Sequence, residues 1–173
     1  MQIIDATPDH LEAITAIHNH AVEHSTAIWD EDPVDVADRA RWMSDRQAAG
    51  FPVLVAVDGS GVVLGFGSYG TWRTRSGYRR TVEHSVYVRE DQRGKGLGRA
   101  LLTALIEHAR AAGIHVMVAG IEAGNVGSIR LHERLGFVLE GTMPQVGEKF
   151  GRWLDLSFLL LRLDDAAVPP ARD

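Results

Sequence analysis

Three glycines at alternate positions, in Arg93-Gly94-Lys95-Gly96-Leu97-Gly98-Arg99, stand between the apolar run Val86-Tyr87-Val88 and a helical pattern opening at Ala100-Leu101-Leu102. Glycine accepts positive φ and lets a ligand approach the main chain, so such a turn aims consecutive N–H groups outward at a helix start. The helix dipole adds partial positive charge at the same point. A phosphate or pyrophosphate suits that combination. P-loop chemistry is excluded, because Lys then Ser or Thr must follow the last glycine to reach the outer phosphates and magnesium, whereas Arg99-Ala100 follows Gly98. The dinucleotide fingerprint G-x-G-x-x-G also misfits: counted from Gly94 its last place is Arg99, and counted from Gly96 it is Leu101. Glu122, just past the next strand, imitates the ribose-binding acid of that rival and keeps it open. A helix cap whose glycines serve packing alone is the remaining reading.

The turn needs a strand before it and a helix after it, and the chain supplies both. Ile3-Ile4 opens a short strand, and Thr7-Pro8 gives an N-cap with proline at N1 before a helix carrying Leu11, Ile14, Ile17 and Ala21 at helical spacing. Asp32-Pro33 repeats that start signal for a second helix, which runs to about Ala49 and stops at Gly50. The β-branched and aromatic runs Val53 to Val57 and Val62 to Tyr69 are joined by Asp58-Gly59-Ser60-Gly61, a hairpin. After the polar loop Gly70 to Arg80 come a strand (Thr81 to Val88), the glycine turn, and a helix ending near Ala112 with Gly113 at C′. A strand (His115 to Gly120), a helix (Asn125 to Leu135, closed by Gly136) and two strands around Phe137 to Thr142 and Trp153 to Leu163 complete the order. The mid-chain β-α-β-α predicts a parallel crossover and the flanking hairpins predict antiparallel pairs. The expected fold class is therefore α/β, or α+β with a mixed sheet, the central mixed sheet being flanked by helices. Residues 1–163 form one domain, and 164–173, with Pro169-Pro170, are expected to be a disordered tail.

At 173 residues a single core can bury roughly two-thirds of the unfolded surface. Eighteen basic and 23 acidic residues leave a formal charge of −5, which argues against a nucleic-acid partner. Cysteine is absent, so disulfides and a thiolate nucleophile are excluded, and a reducing cytosol is suited. The start Met1-Gln2-Ile3-Ile4-Asp5 has no basic leader and no apolar stretch approaches a bilayer span, so a cytoplasmic protein with no membrane partner is expected. His20 and His24 have metal-ligand spacing, but no third ligand accompanies them and no metal is assigned.

Arg93-x-x-Gly96-x-Gly98, with its Val-x-Val strand and long helix, resembles the R/Q-x-x-G-x-G/A signature of the GNAT acetyltransferases. The segments Thr81 to Val88, Ser128 to Phe137 and Val146 to Asp155 are similar to the branch that acetylates phosphinothricin and methionine sulfone or sulfoximine. The likeness covers nearly the whole chain apart from its tail. It implies the GNAT fold and acetyl-CoA as co-substrate, with the pantetheine arm against the main chain of Val86, Tyr87 and Val88. The pyrophosphate would sit on N–H groups of Gly94, Lys95, Gly96, Leu97, Gly98 and Arg99, with Arg93 and Lys95 adding charge at the rim. Asn125 and Ser128 would bond the far part of the cofactor, although both are also ordinary helix-cap types.

Acetyl transfer from a thioester to an amine needs a deprotonated amine, a stabilised oxyanion and a proton for the departing thiolate. No protein nucleophile is required, though Ser85 leaves a covalent route formally open. The resemblance implies Glu83 as general base, where the residue taken alone is a surface glutamate on a strand. It gives His132 the place of the group that protonates the thiolate, where many relatives carry tyrosine; the alternative is a half-buried helix histidine. His84 faces away from Glu83 on a regular strand and is expected to be packed or solvated. The loop Trp72 to Arg80 carries four arginines and two aromatics, and guanidinium forks clamp carboxylates and phosphinates. Arg73, Arg75 and Tyr78 are the expected substrate contacts, with Ser85 and with Trp29, an aromatic that the family places in the pocket wall. His18 stands where close relatives have tyrosine. The branch is typically homodimeric, with Gln145 to Trp153 near the partner's active site.

The activity expected is thus acetyl-CoA-dependent N-acetylation of a small amino acid or analogue. The rivals are a protein or peptide N-acetyltransferase, which needs an open groove, and a CoA-binding regulator without turnover.

Overall fold

Runs that are apolar at every position, instead of at alternate ones, need cover on both faces. In the computed structural model, which describes residues 1–170, that cover comes from helices on both sides of a seven-stranded sheet. The strands are β1 (Gln2–Asp5), β2 (Val53–Val57), β3 (Val63–Thr71), β4 (Thr81–Val88), β5 (Val116–Glu122), β6 (Val138–Lys149) and β7 (Arg152–Arg162). The helices are α1 (Leu11–His24), α2 (Val36–Ala48), α3 (Leu97–Ala111) and α4 (Val126–Glu133). Sheet order is β1-β2-β3-β4-β5-β7-β6, and β4 with β5 is the parallel pair. Along β2, Val53, Val55 and Val57 pack with Leu11, Ile14 and Ile17 of α1 and Met43 of α2, while Leu54 and Ala56 join Leu101, Leu102 and Leu105 of α3 on the other face. None of the described helices is long and apolar enough to cross a membrane.

The mixed sheet and the element order agree with the sequence expectation, and two boundaries differ from it. Helix α2 begins at Val36, past the Asp32-Pro33 signal. Asn19 of α1 holds the Val34 backbone by bonds of 2.8 and 2.9 Å, and Asp35 is the cap, its Oδ1 accepting from the Asp38 N–H at 2.7 Å. Strand β6 continues through Thr142 to Lys149, because register shifts between Leu139 and Gly141 and between Met143 and Gly147 absorb the glycine and proline signals as bulges in an edge strand. Residues 163–170 lie outside regular elements, and Asp164 meets His115 Nδ1 at 2.8 Å. The remainder of the expected disordered tail, 171–173, lies outside the described residues.

Strands β4 and β5 pair only at Thr81, Val82 and Glu83, opposite Val116, Met117 and Val118. Beyond that point β4 stays with β3 as far as Val88, and β5 stays with β7 as far as Glu122. The two parallel strands therefore splay, and β4 from His84 to Val88 has no partner on that side. A sheet interior with an unpaired edge exposes main-chain donors and acceptors that require satisfaction.

Candidate active site

The splay opens a cavity of about 410 Å³, bordered by Glu83, Ser85 and Val86 of β4, Gly120 of β5, Trp29 and His132. A groove of about 640 Å³ shares Val86, Tyr87, Asn125, Ser128 and His132 with it and continues along Val88 to the start of α3. One path thus joins the glycine turn to Glu83.

At the turn, Gly94 (φ 77°) and Gly96 (φ 85°) adopt left-handed conformations, and a β-carbon on either would meet nothing. They serve backbone shape, not space. Among the described residues no N–H from Gly94 to Arg99 donates a hydrogen bond, whereas the next one, Ala100, donates to the Gly96 carbonyl at 3.0 Å. Six consecutive donors at a helix N-terminus are an anion site in waiting. Arg93, Gly94, Gly96, Leu97, Gly98 and Arg99 border the groove. Lys95 does not: its Nζ donates to Gln92 at 3.1 Å. Asn125 caps α4, its Oδ1 accepting from the Ser128 N–H at 3.1 Å, and both residues border the path.

Glu83 lies half-buried beside Gly120, where a β-carbon would stand 2.9 Å from its Oε1. Burial pushes its pKa up, opposed by the charges of Arg46 and Arg73. Arg46, from α2, lies over Gly70, the residue facing Glu83 across β3 and β4. No salt bridge reaches Glu83 among the described residues.

The arginine loop is not brought to the lining of either cavity. Arg73 stacks on Trp72 at 4.6 Å, Trp72 meets Tyr78 edge-on at 5.1 Å, and the Arg75 carbonyl accepts from the Tyr78 N–H at 2.9 Å. This 3₁₀ turn folds the loop onto itself, so Arg75 and Tyr78 stay exposed and border neither cavity. Arg73, also outside the lining, acts on Glu83 only through its charge.

Trp29 forms one wall, its Nε1 donating to the Thr26 carbonyl at 3.0 Å. Thr26 in turn donates to Glu122 Oε2 at 3.2 Å, and Glu122 Oε1 accepts from the Gly124 N–H at 2.8 Å. One oxygen of Glu122 thus braces the segment that carries Trp29 and the other holds the turn before α4. Gly147 of β6 lies against the Trp29 ring, where a β-carbon would overlap it. Lys149, 1% exposed, donates to the carbonyls of Val22, Ser25 and Ile28 and so fixes the segment that carries Trp29. Gly147 and Lys149 of the stretch Gln145 to Trp153 thus brace the Trp29 wall within this chain. His18 is buried edge-on to Tyr87, and His20 reaches Glu90 at 3.1 Å.

On the cavity wall, His84 and His132 stack with centroids 5.0 Å apart and Nε2 atoms 3.1 Å apart. His132 Nδ1 lies 2.7 Å from the Ser128 carbonyl. The alternation of β4 anticipates a packed His84, but nothing in the spacing announces its contact with His132. Arg46, Gly120, Gly147 and Lys149 likewise carry no local signal of a site.

Residues 14–137 match the model of the acetyltransferase (GNAT) family, and the chain belongs to that family. It is 61% identical over 168 residues to the L-methionine sulfoximine/L-methionine sulfone acetyltransferase of Pseudomonas aeruginosa, covering 97% of this chain and 98% of the relative. The Salmonella typhimurium protein yncA, solved with its cofactor acetyl-CoA, superposes with a TM-score of 0.96 at 55% identity over 99% of each chain. The ribosomal-protein-alanine N-acetyltransferase of Brucella melitensis superposes with a TM-score of 0.92 at 51% identity, covering 94% of this chain and 99% of that one.

Proposed function

We propose that this chain is a cytoplasmic enzyme that transfers the acetyl group of acetyl-CoA directly to the α-amine of a small amino acid or analogue. Methionine sulfone, methionine sulfoximine and phosphinothricin are the first substrates to test. The observation that carries the reading is the continuous path from the six free N–H groups at the α3 start to the carboxylate of Glu83. Those donors and Arg93 hold the pyrophosphate, and the unpaired backbone of Val86 to Val88 lies alongside the pantetheine arm. Glu83 takes the proton of the attacking amine, and the Val86 N–H donates to the carbonyl oxygen as the C–N bond forms and the C–S bond breaks. A carboxylate whose pKa is raised by burial is a better base than an exposed one. Arg46 and Arg73 supply positive charge on the side of Glu83 away from the thioester, suited to a substrate carboxylate. The relative acting on methionine sulfoximine and sulfone supports the substrate class.

A second reading, acetylation of a peptide N-terminus, is favoured by the Brucella relative. The wall made by Trp29 and Gly147 favours the smaller substrate. A CoA-binding regulator without turnover has no use for a desolvated carboxylate at the end of the path. Exposed Val138, Leu139, Met143, Val146, Phe150 and Trp153, on β6, β7 and the turn between them, support a homodimer, which sedimentation would register as twice the chain mass. The assay for the function is CoA release with an amino-acid panel and an alanine-terminated peptide, with mass analysis of the product. N-acetylated methionine sulfone or sulfoximine is expected; turnover of the peptide alone would overturn the substrate assignment.

A further inference from the structure

The hydrogen bonds around the two stacked histidines determine which nitrogens carry protons. A carbonyl only accepts, so the 2.7 Å contact between His132 Nδ1 and the Ser128 oxygen requires a proton on Nδ1. In a neutral ring His132 Nε2 is then a lone pair. Its neighbour at 3.1 Å, His84 Nε2, must carry the proton between them. The remaining atom, His84 Nδ1, is buried without a partner. As a bare lone pair among apolar atoms it is tolerable; with the opposite tautomer it would be a buried N–H with no acceptor, and two lone pairs would face each other across the Nε2 contact. Each ring therefore excludes the alternative for the other.

We infer that His84 is a positioning residue that donates its Nε2 proton to His132, so that His132 stays neutral and has no proton to give the departing sulfur. Passing the shared proton onward would leave His84 as an imidazolate, because no solvent or donor reaches its Nδ1 to replace the loss. The sulfur accordingly leaves as thiolate and takes its proton from water in the open cavity, while the amine proton goes to Glu83. This revises the acid role that the family resemblance gives His132. Burial lowers both pKa values, that of His84 to about 3 with His132 as the second cause, while the Ser128 carbonyl works the other way on His132. The other groups on elements around the pair do not compete. Tyr69 of β3, opposite His84, turns its hydroxyl to His108 of α3 at 2.6 Å; Glu83 of β4 faces the other side of the sheet, against Gly120 of β5; Phe137 packs on both rings.

The inference rests on the acetylation reading only for its kinetic arm. Nitrogen-15 spectra of histidine-labelled wild-type protein read tautomers without turnover. His132 should appear as the Nδ1–H form and His84 as the Nε2–H form, with neither titrating between about pH 6 and 8. A ring in the other tautomer, or titrating in that interval, would overturn the inference. In kinetics, a His132 acting as acid costs kcat as pH rises through its pKa; a His132 kept neutral gives no such limb. His84→Gln keeps an N–H donor and should retain the wild-type profile. A wild-type kcat that falls as pH rises between about 6 and 8, with that fall abolished in His132→Ala, would contradict the inference, and the nitrogen-15 spectra decide independently of turnover.

Discussion

Arg46 lays its guanidinium over the bare main chain of Gly70, and so stands one strand away from Glu83 without forming an ion pair with it. Its charge lowers the Glu83 pKa while burial raises it, burial being the larger effect. The base works ionised, so activity is lost as pH falls through its pKa. Replacing Arg46 with Met removes the opposing charge, raises that pKa further and moves the acid limb of kcat/KM to higher pH. A limb that stays in place, or shifts to lower pH, would show that Arg46 does not act on the base.

Gly120 leaves room for the Glu83 carboxylate, since an added methyl would stand 2.9 Å from Oε1. Gly120→Ala should displace the carboxylate by a fraction of an ångström to an ångström and reduce kcat by about 10- to 100-fold. Acetyl-CoA affinity, read by calorimetry, should not change, because the pyrophosphate donors lie at the far end of the path.

Lys149 satisfies three carbonyls, one in the last turn of α1 and two beyond it, while almost wholly buried. Lys149→Met strands them, and urea unfolding should show a loss of about 2–3 kcal/mol. The Trp29 wall loosens with them, so KM for the amino acid should rise more than kcat falls.

Gly96 takes φ 85° to turn β4 into α3. Gly96→Ala meets no protein atom, so its cost is conformational, about 1–2 kcal/mol, and relaxation of the turn should weaken acetyl-CoA by about tenfold. Calorimetry with acetyl-CoA measures it directly.

The path itself was legible in the sequence. Alternate glycines after Val-x-Val imply the donors, and strand alternation puts Glu83, Ser85 and Tyr87 on one face and His84 on the other. What escaped depends on distances between elements that no spacing encodes. Arg46 reaches the site from α2 across a glycine in β3, and His132 meets His84 across 48 residues. Lys149 looks like a solvated charge until the edge strand is seen to carry it under α1. The arginine loop is a different case: its composition suits an acidic ligand, while Trp72 stacks with Arg73 and Tyr78, and Arg75 and Tyr78 are exposed.

The account depends most on Glu83 removing the proton of the amine. The direct measurement is kcat for methionine sulfoximine with the wild type and Glu83→Gln at saturating acetyl-CoA, with coenzyme binding measured separately for both. The account predicts a loss of about 10²- to 10⁴-fold with binding intact; a wild-type rate in the variant would contradict it.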